Sequence, residues 1–267
     1  MTGPARGEAR ILAAFERART EDRAAFVPYL TAGWPDRAAF LRHARTLLRH
    51  ADLLEVGLPY SDPLGDGPTI QRSSEEALRA GVRTSDVFDL VRELRTETET
   101  PILVMTYANP IVCYARGGER GFVRDLAAAG ADGVILPDLP PDEAADLIDA
   151  ARAADLATVF LAAPTSTDAR LRAVTRASRG FVYAVSVTGV TGVREAASDA
   201  VPELVRRLRA VSDVPVGVGF GVSNAATAAP VAAVADGVVV GSAVIRCIAE
   251  GGDLDALSAE IAGACRR

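Results

Sequence analysis

Eight short apolar runs, recurring along the chain, constrain its fold more than any other feature. They span Ala25–Gly33, Ala51–Pro59, Pro101–Asn109, Ala131–Leu139, Ala157–Pro164, Gly180–Val187, Pro215–Val222 and Ala235–Val244. Each is too short for a helix. Several are rich in Val, Ile or Leu with Gly or Pro at the margins, the pattern of strands buried on both faces of a parallel sheet. Amphipathic stretches separate them. Asp36–His50 carries Ala39, Phe40, Ala44, Leu47 and Leu48 at helical spacing, and Ser85–Arg95 carries Val87, Leu90, Val91 and Leu94. Asp142–Ala153 opens with carboxylates at its positive end, and Ser223 is placed to cap a helix over Asn224–Val234. A further helix, about Glu8–Ala18, precedes the first strand. Eight strand–helix units in succession predict one α/β domain over residues 1–267, a (β/α)8 TIM barrel with an extra N-terminal helix. The competing architecture, an open doubly wound sheet, needs a nucleotide-binding glycine fingerprint near the first strand. Ala32-Gly33-Trp34-Pro35 is not one.

Composition removes several chemistries. All 29 basic residues are arginine, so Schiff-base aldolase and pyridoxal-phosphate mechanisms, which need a lysine amine, are excluded. The lysine-bearing phosphate loop is excluded with them. His43 and His50 are the two histidines, which leaves acid–base work to carboxylates. A net charge of −6 gives no basic footprint for nucleic acid. The longest apolar stretches fall far short of the roughly 20 residues that span a bilayer. The opening MTGPARGEARILAAFERART carries charges through its apolar part, which predicts no signal peptide. Cys113, Cys247 and Cys265 are odd in number, widely spaced and without a CxxC pair. They predict buried structural thiols in a reducing cytoplasm, with no metal site.

In a barrel the chemistry sits at the C-terminal ends of the strands. The second strand reads Asp52-Leu53-Leu54-Glu55-Val56-Gly57-Leu58-Pro59, and both its faces are apolar apart from Glu55. Burial raises the pKa of such a carboxyl toward neutrality, as a general acid–base catalyst requires; a structural, hydrogen-bonded Glu is the other reading. The loop Tyr60–Thr69 packs two prolines, two glycines and two aspartates into ten residues. Asp62 and Asp66 suit turns, yet Asp66 lies eleven residues beyond Glu55, within reach of the same pocket.

Strand seven ends in Gly217-Val218-Gly219-Phe220-Gly221 and strand eight in Gly241-Ser242. Paired glycine termini there expose backbone N–H groups, Ser242 adds a hydroxyl, and a helix N-terminus adds partial positive charge. Together they predict a phosphate site without lysine. After strand six, Ser186–Glu195 is long and holds two glycines, a composition that suits a lid or an ordinary flexible loop. Tyr183, within strand six, is either a half-buried strand residue or a hydroxyl aimed at the carboxylates.

The segment Glu55-Val56-Gly57-Leu58-Pro59-Tyr60-Ser61-Asp62-Pro63-Leu64-Gly65-Asp66-Gly67-Pro68-Thr69-Ile70-Gln71 resembles the signature of the tryptophan synthase alpha chain family. Tyr107-Ala108-Asn109-Pro110, Pro137-Asp138-Leu139-Pro140, Thr188-Gly189-Val190-Thr191-Gly192, Gly219-Phe220-Gly221 and Gly241-Ser242 continue the resemblance in the expected order. It implies retro-aldol cleavage of indole-3-glycerol phosphate to indole and glyceraldehyde 3-phosphate, without a metal or cofactor in this chain. By the same resemblance Glu55 is the acid–base glutamate, and Asp66 accepts the indole N–H. Thr191, Gly192, Gly219, Gly221, Gly241 and Ser242 form the substrate loop and phosphate region, while Phe26, Met105, Ile135 and Val239 line the indole pocket. Val187 departs from the arginine some members carry.

The resemblance further implies a tryptophan synthase beta chain as partner, in an alpha2-beta2 heterotetramer. Since this chain has no lysine, the pyridoxal step belongs to that partner. Asn109, Pro110 and the Tyr60–Thr69 loop are candidate contacts. A freestanding lyase that releases indole, and a non-catalytic activating subunit, are the alternatives.

Overall fold

A computed structural model describes residues 6–185, 196–219 and 221–267. The chain begins α1 (Gly7–Thr20), β1 (Ala25–Thr31), α2 (Arg37–Leu48), β2 (Leu54–Gly57), α3 (Pro68–Arg79) and α4 (Thr84–Arg95). It continues β3 (Ile102–Met105), α5 (Ala108–Val112), α6 (Gly118–Ala128), β4 (Gly133–Leu136), α7 (Ala145–Ala153), β5 (Ala157–Ala162) and α8 (Asp168–Ala177). It ends β6 (Val182–Val185), α9 (Ala196–Arg209), β7 (Val216–Gly219), α10 (Ala225–Ala232), β8 (Gly237–Val240), α11 (Ser242–Ala249) and α12 (Leu254–Ala264). The eight strands pair in parallel in chain order, and β8 closes on β1. This is the (β/α)8 barrel the eight apolar runs predict, with α1 as the extra helix.

Alternation along each strand sorts the core into two layers. Leu54 and Val56 face outward into the layer beneath the helices, with Phe26, Leu30, Val104 and Val134. Leu53 turns inward with Val27, Leu103, Ile135, Val159, Phe181 and Val239. The N-terminal end of the barrel is plugged by α1, whose Ile11, Ala14, Phe15 and Ala18 join this inner cluster. Phe15 meets Phe181 at 5.5 Å between ring centroids, and Phe181 meets Tyr183 at 6.2 Å. An aromatic column thus runs from the plug up toward the open end.

Ala-Asp pairs stand before three strands, as Ala51-Asp52, Ala131-Asp132 and Ala235-Asp236, and their aspartates clasp the N-terminal end. Asp52 donates its backbone N–H to the Phe26 carbonyl and accepts the Phe26 N–H on Oδ2 at 2.9 Å. Asp132 does the same with Ile102 (3.0 Å) and Asp236 with Val216 (2.9 Å). Each carboxylate also holds arginine: Arg23 and Arg17 on Asp52, Arg10 and Arg95 on Asp132, Arg209 on Asp236. Before β6, Ser178 stands in for the aspartate, with its Oγ accepting from the Phe160 N–H at 3.2 Å.

Several local expectations are corrected. Asn224, not Ser223, caps α10, because its side chain accepts the Thr227 N–H while Ser223 lies one residue outside. The run Ala235–Val244 is a strand only to Val240; Gly241 ends it and α11 begins at Ser242. Asp142–Ala153 divides into a 3-10 turn over Pro141–Glu143 and α7. Cys265 is buried, but Cys247 is half-buried and Cys113 exposed, so one of the three thiols, not all, is a core residue. Among the described residues no helix is long and apolar enough to cross a membrane.

Candidate active site

At the C-terminal ends of the strands lies a cavity of about 520 Å³, a volume suited to a small molecule. Glu55 reaches it because β2 alternation turns residues 53, 55 and 57 inward. In the register it sits between Tyr29 of β1 and Leu103 of β3. Glu55 is 1% exposed, and its Oε2 has no hydrogen-bond partner among the described residues. Burial first, and the charge of Asp66 second, raise its pKa from 4.5 to about 8. At neutral pH this carboxyl holds its proton.

Asp66 comes from the loop after β2. Its backbone N–H donates to the Pro63 carbonyl at 3.0 Å, which folds the loop back over the mouth. Gln71 on α3 anchors it by donating Nε2–H to the Asp66 carbonyl at 2.8 Å. The Tyr107 hydroxyl donates to Asp66 Oδ2 at 3.1 Å and accepts the Gly65 N–H at 3.0 Å. The Tyr107 ring stacks on Tyr60 with centroids 5.0 Å apart. Burial raises Asp66 from 3.8 to about 6, and the Tyr107 hydrogen bond opposes that rise. Two carboxyl groups share one cavity with separated pKa values, the condition under which one acts as acid while the other stays ionised.

Apolar side chains fill the wall. Met105, Ile135, Leu161 and Val239 line it, with the rings of Tyr29 and Tyr183. Two glycines make room for those rings. A Cβ on Gly57 would stand 2.0 Å from the Tyr29 hydroxyl, and one on Gly219 would stand 2.7 Å from Tyr183. On the opposite rim lie Gly219, Gly221, Gly241 and Ser242. Gly221 has φ +61, and nothing lies within 4 Å of where its Cβ would be, so its backbone is open to a ligand in a conformation that favours glycine. Gly241 caps α11, whose first residue is Ser242, so the N–H groups and positive end of that helix face the same rim.

A sequence model of the tryptophan synthase alpha chain matches residues 15–263. The chain belongs to the tryptophan synthase alpha chain family. The alpha chain of Deinococcus radiodurans is 55% identical over 267 residues, covering all of this chain and 98% of that one. The alpha chain of Nocardia farcinica is 49% identical over 261 residues, 97% of each chain. Among solved structures, tryptophan synthase of Mycobacterium tuberculosis in space group F222 superposes with a TM-score of 0.90 at 48% identity, covering 97% of this chain and 98% of that one. The alpha subunit from Legionella pneumophila gives 0.86 at 33% identity, covering 96% and 98%. The chain is therefore a lyase of tryptophan biosynthesis that cleaves indole-3-glycerol phosphate.

The positions matched to this alpha-chain family distribute as follows. Glu55, Asp66, Met105, Ile135, Tyr183, Gly219, Gly221, Val239, Gly241 and Ser242 all line the one cavity. Phe26 does not. It is buried in the outer layer beneath the helices, because Ala25, Val27 and Tyr29 take the inward positions of β1. Tyr29 supplies the aromatic wall in its place. Thr191, Gly192 and Val187 lie outside the described residues, as does the lid expected over Ser186–Glu195. The Tyr183 hydroxyl lies over Gly219 and bonds neither carboxylate among the described residues. Sequence reasoning gave no role to Tyr107, although it opens one of the matching motifs.

Proposed function

We propose that Glu55 and Asp66 carry the cleavage between them. The single observation behind this reading is that a buried carboxyl, protonated at neutral pH and with no hydrogen-bond partner on Oε2 among the described residues, faces a cavity with an apolar wall whose mouth holds a second, more acidic carboxyl. Glu55 gives its proton to C3 of the indole ring. The ring becomes a cation whose N–H Asp66 accepts, so the charge develops beside a carboxylate. The Glu55 carboxylate then takes the proton of the side-chain hydroxyl on the carbon attached to C3. The C–C bond breaks, its electron pair restores the aromatic ring, and the hydroxyl carbon becomes the aldehyde of glyceraldehyde 3-phosphate. Glu55 ends protonated, as it began. The apolar wall of Met105, Ile135, Leu161 and Val239 holds the indole, and the Gly221–Ser242 rim holds the phosphate.

The whole chain acts as one barrel domain in the cytoplasm, delivering indole to a tryptophan synthase beta chain within an alpha2-beta2 assembly. Apolar exposure at the mouth supports a partner there. Leu64 is 92% exposed in the β2–α3 loop and Val112 55% exposed at the end of α5, beside Asn109 and Pro110. The test uses the purified chain with and without a beta chain. Glu55→Gln should lose at least about 10²-fold in indole release, and Asp66→Asn most of its activity while still binding glycerol phosphate. Intact indole release by Glu55→Gln would overturn the acid–base assignment. Equal turnover with and without the beta chain would overturn the partnership in favour of a freestanding lyase.

A further inference from the structure

The steps above leave Arg246 unused, although it lines the same cavity. It stands on α11, four residues after Ser242. Residues four apart share a helix face, and helical side chains lean toward the N-terminus. Arg246 is exposed at the mouth, on the helix face it shares with Ser242, beside the rim already read as the phosphate end. Glu250 is placed one further turn on as an ordinary helical partner, but no ion pair joins the two among the described residues.

Charge balance sharpens the point. The cavity contains the Asp66 carboxylate beside a protonated Glu55, and a substrate phosphate would add about two negative charges to it. Among the described residues that line it, Arg246 is the one cation. Helix dipoles and backbone N–H groups contribute partial charges; a guanidinium contributes a full one, in a fork that matches two phosphate oxygens.

We propose that Arg246 binds the phosphate group of the substrate, opposite the indole end of the cavity. The assignment rests on the reading of this cavity as the indole-3-glycerol phosphate site. Arg246 supplies affinity for the phosphate half alone and keeps the dianion away from Asp66. It makes no contact with the bond that breaks.

The experiment compares the wild-type chain, Arg246→Ala and Arg246→Lys, each with the beta chain. Steady-state cleavage gives KM and kcat. Calorimetric titration with inorganic phosphate, and inhibition by added indole, report the two halves of the site separately. Arg246→Ala should raise KM and weaken phosphate binding by about tenfold each, with a smaller change in kcat and none in inhibition by indole. Arg246→Lys should recover part of the phosphate binding, since it keeps the charge and loses the fork. The two failures are distinguishable. Absence of cleavage by the wild type overturns the substrate reading. Cleavage accompanied by phosphate binding that Arg246→Ala leaves untouched overturns the role of Arg246.

Discussion

Replacing Glu55 by glutamine should make this barrel more stable, and increasingly so as the pH rises. The wild-type carboxyl is 1% exposed and its pKa is raised from 4.5 to about 8 by burial and by Asp66. The native state thus holds this proton more tightly than the unfolded chain does. Its favourable contribution is fully present below about pH 4.5 and is lost as the pH climbs through about 8. At about 1.4 kcal/mol per pH unit, the loss is roughly 5 kcal/mol over the whole window and roughly 3 kcal/mol by pH 7. That is a large share of the 5–15 kcal/mol by which a domain is typically stable. Glutamine fills nearly the same volume and does not titrate. Urea unfolding of both proteins between pH 5 and 9 checks the difference, which should move by about 4 kcal/mol in favour of Glu55→Gln. A difference constant to within about 1 kcal/mol would mean that Glu55 titrates near its ordinary value in the folded protein. The neutral-pH acid assigned to it would then not exist.

The rate of cleavage should follow a bell in pH, rising as Asp66 ionises through about 6 and falling as Glu55 gives up its proton through about 8; a profile with one limb would break the pairing. Tyr107→Phe removes the donor that opposes the rise of the Asp66 pKa, so the acid limb should move to higher pH, and an unmoved limb would show that the hydroxyl does not control Asp66. Asp132→Ala leaves Arg10, Arg95 and the N–H groups of Gly7 and Ile102 without their buried acceptor. It should cost about 3–5 kcal/mol in urea unfolding with the shape of the pH–rate bell kept, and a cost below about 1 kcal/mol would refute the clasp.

The strands were legible because each is apolar on both faces and bounded by Gly, Pro or Ala-Asp. Glu55 stood out for the same reason, as the polar residue on an otherwise apolar strand. That uniformity also hid which way β1 faces. Phe26 and Tyr29 are equally plausible inward residues in Ala25–Thr31, and the choice is made by closure against β2, where Tyr29 pairs with Glu55. Tyr107 was hidden because its role is a contact between two loops, one after β2 and one after β3, which no local pattern encodes. Arg246 was hidden by a boundary. With Ala235–Val244 read as a strand, the helix that places Ser242 and Arg246 on one face could not be drawn.

The clasps at the base divide the barrel in a way its continuous sheet does not. Asp52 closes β1 with β2, Asp132 closes β3 with β4, Ser178 closes β5 with β6, and Asp236 closes β7 with β8. By these base bonds alone the strands group into four pairs, with seams after β2, β4 and β6 and where β8 meets β1. A chain severed at the β4–β5 seam keeps every clasp inside one fragment, whereas a cut between β3 and β4 separates Asp132 from Ile102. The two halves made at the seam should therefore reassemble more readily than those made one strand earlier. Repetition governs the end that holds the barrel together, while the open end, with one Glu55 and one Arg246, has a single orientation in which to receive a ligand.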